Sequence, residues 1–256
     1  MRRLKRRIFA GAICEQIVYN VGDNTKNIKT AEPRPPRFKT EEERRKHKEY
    51  ISRRNHNLRF NATFSPASIY STLTFDNEHE VHTFEEAKKI RDTYFRRLRR
   101  HYPEAVIWIY MGRGKSTSRI HFHMVSDGIQ AEDIRRLWGY GSVIDTKHLR
   151  AHNYYDGVDH GADYTALANY LYDHWTPEIG GHRWKATRNS RKPEVEDATE
   201  VAERTVYTPE KPPRPPKGYQ LVSALLTKYG YLRFTYVAIP EPDKPKRRKK
   251  TDQRIS

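Results

Sequence analysis

An α+β fold is predicted, with a central, mainly antiparallel sheet, helices on one of its faces and a split β-α-β order of elements. Three observations carry this. Residues 68–75 alternate, with Ile69, Ser71, Leu73 and Phe75 on one side and Tyr70, Thr72 and Thr74 on the other, the period of a half-buried strand. Residues 105–111 form a near-continuous apolar run of strand length, and after the turn at 112–116 the chain returns as a second strand at 120–125, giving a hairpin. Two helical repeats bracket that hairpin: Ala87, Ile90, Tyr94 and Leu98 behind a Thr83/Glu86 capping box, and residues 164–175.

The remaining elements follow in order. Arg2, Arg3, Lys5, Arg6 and Arg7 precede an apolar stretch that imitates a secretory leader, but Glu15 cuts it short, so it reads as a basic strand entry. Residues 23–60 are polar. Pro33, Pro35 and Pro36 lead into 41–54, whose charges alternate too densely for a core helix and suit an extension or a solvated helix. A short helix at 133–138 and a short strand at 142–144 lie between the hairpin and the helix at 164–175. Beyond Pro193 the composition loosens: Lys211-Pro212-Pro213-Arg214-Pro215-Pro216 is a stiff linker, 232–239 a last strand, and 241–256 a basic tail with the composition of a disordered segment. The expected division is a basic N-terminal extension at 1–60, a principal domain at 61–195, and a linker, strand-rich segment and tail at 196–256.

Forty-nine Lys and Arg against 32 Asp and Glu leave a net charge of +17, so a polyanion is the expected partner. Seventeen Tyr, 9 Phe and 4 Trp among those cations favour single-stranded nucleic acid over a membrane surface. The single Cys14 allows no internal disulfide, and no Cys-x-x-Cys pair exists for structural zinc, which points to the cytoplasm. No apolar stretch is long enough to span a bilayer.

Within Ile120-His121-Phe122-His123-Met124, a strand pleat sends both imidazoles to one face, their backbones about 6.6 Å apart, a span two rings can close on one metal ion. The plain alternative is two surface histidines. On the helix at 164–175, the wheel puts Tyr164, Leu167, Ala168, Leu171 and Trp175 in the buried stripe, Tyr170 on one flank beside Asp163 and His174, and Tyr172 on the opposite flank. One tyrosine, not both, can face a given site, and Tyr170 is the candidate nucleophile. Simple packing is the alternative role for either. Arg183, Lys185, Arg188, Arg191 and Lys192, with Trp184 among them, form a basic and aromatic cluster suited to phosphates, or an ordinary charged face. Gly112-Arg113-Gly114-Lys115-Ser116 imitates a phosphate-binding loop, but its first glycine would have to fall at Ile109, inside a strand, so no ATP site is expected.

Three segments, Ser71-Thr72-Leu73-Thr74-Phe75, Ile120-His121-Phe122-His123-Met124-Val125 and Ala168-Asn169-Tyr170-Leu171-Tyr172, resemble in order and spacing the three motifs of HUH endonucleases. These include the rolling-circle replication initiators (Rep proteins) of bacterial plasmids and phages. Residues 183–193 are similar to the segment that follows the tyrosine helix in those initiators. Residues 55–64 and Pro216-Lys217-Gly218-Tyr219 resemble further parts, so the resemblance covers most of the chain.

The resemblance implies an RRM/ferredoxin-like HUH fold, a five-stranded antiparallel sheet with His121 and His123 at its centre, Mg²⁺ or Mn²⁺ bound there, and the tyrosine presented from a neighbouring helix. It implies an enzyme that nicks single-stranded or hairpin origin DNA through a 5′-phosphotyrosine intermediate, leaves a free 3′-OH, and later rejoins strands. A host helicase and DNA polymerase in a bacterial cytoplasm are the implied partners. The chain departs from the family pattern twice. Asp173 stands where members often carry a lysine three residues after the tyrosine. Residues 105–111 offer no carboxylate or imidazole as a third metal ligand, which leaves that ligand open, with Asp163 and His160 as candidates. The alternative functions are an HUH transposase or relaxase, and a non-catalytic single-strand binder with an RRM-like sheet.

Overall fold

The computed structural model describes residues 2–21, 40–114, 118–155, 157–228 and 230–240, without the side chains of Val143 and Ile144. The prolines at 33–36, the tip of the hairpin turn at 115–117 and the basic tail at 241–256 lie outside the described residues. Among the described residues no helix is long and apolar enough to cross a membrane.

The first two strands, β1 (Arg2–Ala10) and β2 (Ile13–Val21), form an antiparallel hairpin. Its turn needs Gly11: φ is +58°, and a Cβ there would meet the backbone oxygen of Asn61 at 2.2 Å. The turn therefore lies directly on the next element, α1 (Glu41–Thr63), which starts where the Thr40 side chain accepts a hydrogen bond from the Glu43 amide. The densely charged first half of α1 is solvated, as its sequence predicts. Its second half continues inward and buries His56, Leu58, Phe60, Asn61 and Thr63.

Next come β3 (Ile69–Thr74), α2 (Phe84–His101), β4 (Val106–Arg113), β5 (Ile120–Asp127), α3 (Ala131–Trp138) and β6 (Val143–His148). The capping box of Thr83 and Glu86 is present at the start of α2. A small hairpin of β7 (Tyr154–Tyr155) and β8 (Val158–Asp159) precedes α4 (Thr165–Asp173). The chain ends through β9 (Trp184–Ala186), β10 (Glu194–Val195), β11 (Thr199–Glu200), β12 (Tyr219–Leu226) and β13 (Leu232–Ala238).

The result is an α+β fold with two antiparallel sheets. The central sheet is five-stranded, in the order β6-β3-β5-β4-β9, and the terminal sheet runs β12-β13-β2-β1, with β10 and β11 both pairing with β1. Strand alternation gives the central sheet two apolar faces. Ile107, Ile109, Met111, Phe122 and Met124 pack with Ala87, Tyr94 and Leu98 of α2 and Ile134 of α3. Tyr70, Trp108, Tyr110 and Val125 pack with Phe60 of α1 and with Ala168 and Leu171 of α4.

Helices therefore cover both faces of this sheet, not one as the element order predicts. The β-α-β unit supplies only the first layer, and α1 and α4, which lie outside it, supply the second. Leu58 and Ala62 on the far side of α1 meet Ile8, Ala10 and Ile17, so α1 is held between the two sheets. The predicted division at 60/61 falls inside α1, and the strands of the 196–256 segment pair with those of the first 21 residues.

Candidate metal centre and its tyrosine

His121 and His123 sit on β5, the middle strand of the central sheet, and face the α4 side. Across the ladder they stand opposite Thr74 and Thr72 of β3 and opposite Gly112 and Tyr110 of β4. His174, the residue that ends α4, completes the group. The Nε2 atom of His123 lies 3.1 Å from Nε2 of His121 and 3.1 Å from Nε2 of His174. The donor atoms of the three rings all fall within 4.8 Å of one another.

The outer nitrogens explain this convergence. Nδ1 of His121 lies 3.3 Å from the Arg119 carbonyl oxygen, Nδ1 of His174 is 2.9 Å from the Tyr170 carbonyl oxygen, and Nδ1 of His123 is 2.7 Å from the Tyr70 hydroxyl. A carbonyl only accepts, so Nδ1 of His121 and of His174 must carry the proton, and their Nε2 atoms present lone pairs. A proton is a poor remedy for lone pairs held this close. Burial, with His174 and His121 alongside, pushes His123 down to about 2, and burial also lowers His121. A divalent cation satisfies all three nitrogens at once, so the residues present fit a metal.

Gly112 makes room for the third ring. A Cβ at this strand position would stand 2.7 Å from Cδ2 of His174. Asp163 and His160, the sequence candidates for a third ligand, are not part of this group. They lie 3.6 Å from each other, and Oδ1 of Asp163 accepts the Thr165 amide at the start of α4, a helix length of roughly 14 Å from the end that bears His174.

Tyr170 and Tyr172 occupy opposite sides of α4. Tyr170 is 49 % exposed, its hydroxyl 3.5 Å from Nε2 of His123, and its ring centroid 4.3 Å from that of His174. Tyr172 is fully buried, with its ring 5.2 Å from that of His56 and the Arg183 guanidinium 4.2 Å above it. Burial and then Asp145 raise the pKa of Tyr170. Asp145 reaches this region because the β3–β6 register shifts between Tyr70 and Thr72, inserting an extra residue in β6. A groove of about 340 Å³ extends from Tyr170 and Tyr70 past Lys147 to Arg150 and Tyr155.

The basic cluster after α4 divides. Arg183 is bound through Nη2 to both carboxylate oxygens of Glu49, at 2.9 and 2.8 Å, and Lys185 to Asp92 at 2.9 Å, so both are committed within the fold. Thr187 and Ser190 anchor the following turn through the Ile107 amide and the Trp108 indole. Arg188, Arg191 and Lys192 are exposed. Asp173, one of the two departures from the family pattern, forms an ion pair with Arg53 of α1.

Sequence reasoning places His174 beside Tyr170 but misses it as a possible metal ligand, and it misses Tyr70 as a member of the site. The signals were present: His174 is four residues after Tyr170, hence on the same helix face, and Tyr70 shares a strand face with Thr72 and Thr74. No protein-family model, curated protein or solved structure matches this chain.

Proposed function

We propose that the protein is a metal-dependent, single-strand DNA nickase and strand transferase, a replication initiator with an HUH-type fold, with Tyr170 as nucleophile and His121, His123 and His174 as metal ligands. One observation carries the reading: the hydroxyl of a half-exposed tyrosine lies 3.5 Å from the nitrogen at which three imidazoles converge. A single phosphodiester can then touch both.

A divalent cation there supplies Lewis-acid stabilisation of charge on the non-bridging phosphate oxygens. Three neutral nitrogen donors suit Mn²⁺ better than Mg²⁺, which prefers oxygen ligands. The Tyr170 hydroxyl gives up its proton as its oxygen forms a bond to phosphorus, and the 3′ oxygen leaves with its electron pair and takes up a proton, so that the strand ends in a free 3′-OH and a 5′-phosphotyrosine. That linkage conserves the bond energy of the diester, and attack by a 3′-OH reverses the step without ATP. Tyr70 and the Arg119 and Tyr170 carbonyls fix the three rings before substrate arrives. Lys147 and Arg150 in the groove beside Tyr170 suit the phosphates of the bound strand, and Tyr155 suits its bases. Unwinding and copying fall to a host helicase and polymerase.

The test uses 3′-labelled, single-stranded hairpin oligonucleotides with randomised loops, incubated with the full chain and Mn²⁺ and run on a denaturing gel. The wild type and Tyr172→Phe should carry label into a protein adduct, and Tyr170→Phe should not. An adduct that survives Tyr170→Phe, or is lost only in Tyr172→Phe, overturns the assignment.

A further inference from the structure

On the terminal sheet, Arg6 of β1 and Arg233 of β13 both stand opposite Ile17 of β2, one on either side. Residues in one row across a sheet point to the same face, so the two guanidinium groups leave that face from backbones about 10 Å apart, two strand spacings. Tyr19, two residues beyond Ile17, shares the face. This surface is turned towards α1, and a cavity of about 320 Å³ opens between them, with Arg54 of α1 as a third cation and Tyr50 and Tyr231 among its walls.

The charges in this cavity are unbalanced. Arg54 is matched by Glu15, whose carboxylate accepts its Nε at 2.6 Å. Among the described residues no carboxylate pairs with Arg6 or Arg233. Arg233 donates from Nη1 to the Tyr50 hydroxyl at 3.0 Å, but its Nε, like that of Arg6, is buried without an acceptor. Both arginines line the cavity, and guanidinium groups there with no carboxylate partner and an unsatisfied Nε are suited to an entering anion. Planar forks match the paired oxygens of a phosphate, and flat phenol rings beside it suit a base or sugar on the same strand. An adjoining cavity of about 250 Å³ shares Tyr50, Arg54 and Arg233 and extends to Asn169, the residue before Tyr170.

We propose that Arg6 and Arg233 form a second phosphate site, on the terminal sheet and built from none of the histidine group's residues, which grips a backbone phosphate of the single-stranded DNA. The choice of DNA rests on the nicking reading above; the anion site itself does not. The experiment measures binding of a fluorescein-labelled single-stranded oligonucleotide to the full chain over a salt series, with inorganic phosphate binding followed in parallel by calorimetry. For Arg6→Gln/Arg233→Gln, affinity should fall about tenfold and the slope of log K against log salt by about 0.7 for each phosphate that is no longer neutralised. Arg6→Lys/Arg233→Lys keeps the charge and should keep most of the slope, which separates loss of the site from loss of the fold. The proposal is overturned if the Gln variant retains wild-type affinity and slope, or if the two arginines matter for inorganic phosphate but not for the oligonucleotide. A wild type that forms no adduct on the gel defeats the nicking reading and leaves these slopes to judge the phosphate site.

Discussion

Gly112 stands opposite His121 in the β4–β5 ladder, where any side chain would press on the His174 ring. The backbone there is ordinary strand, so alanine adds no conformational strain and its effect is confined to the ring it meets. Gly112→Ala should therefore weaken Mn²⁺ binding tenfold or more, as loss of a ligand's alignment does, while the melting temperature changes little. Titration calorimetry with Mn²⁺ checks this, and unchanged affinity would remove His174 from the ligand set. The contrast with His121 and His123 shows what spacing can reveal. Two imidazoles two residues apart on a strand must share a face, whatever the rest of the fold does. His174 ends a helix, and its direction exists only once α4 has docked on the sheet. The four-residue spacing from Tyr170 relates those two residues to each other, but not to β5.

Among the elements, α1 departs most from its sequence pattern, and the reason is its place between two sheets. Leu58 and Ala62 face one sheet and Phe60 the other, so no single apolar stripe marks it. Polar residues do part of the packing: the Asn61 side chain accepts the Tyr164 amide at 2.8 Å, and Nε2 of His56 lies 2.9 Å from the buried Tyr110 hydroxyl. By contrast α2, with its capping box and a single buried face, is legible from the residues alone. His56 gives α1 a pH signature. Burial, reinforced by Arg53 and Arg183 and opposed by its contact with Asn57, pushes it from its ordinary 6.5 to about 4. A histidine held neutral in the fold stabilises the protein fully above the unfolded value, and that contribution is lost as pH falls from about 6.5 towards 4. Between pH 7.5 and pH 5 the loss is about 2 kcal/mol. Urea unfolding at those two pH values should show a drop smaller by about this amount in His56→Gln, which does not titrate. Groups other than His56 are common to both proteins and cancel in the comparison. Equal drops would mean that His56 is not held neutral.

At the scale of the whole molecule, strands from the two ends of the chain close one sheet, a pairing of high sequence separation that no local pattern announces. The strands at 2–10 and 232–238 are readable one by one, but their meeting through β2 is a tertiary fact. This sheet has its own core of Cys14, Val18, Val201, Leu232, Phe234 and Tyr236, separate from the two cores of the central sheet. A separate core predicts a separate opening event, and Cys14, the only thiol in the chain, can report it. It is fully buried, and burial pushes its pKa up to about 12 against the opposing influence of Arg7, so reaction with a disulfide reagent requires the sheet to open. Phe234→Ala removes a fully buried ring from this core at a cost of about 3–5 kcal/mol, which should accelerate Cys14 labelling roughly a hundredfold or more. Leu98→Ala in α2 destabilises the central core by about 2–5 kcal/mol and should leave the labelling rate near that of the wild type. If both substitutions accelerate labelling in proportion to their effect on global stability, the two sheets open as one unit and α1 transmits every perturbation between them.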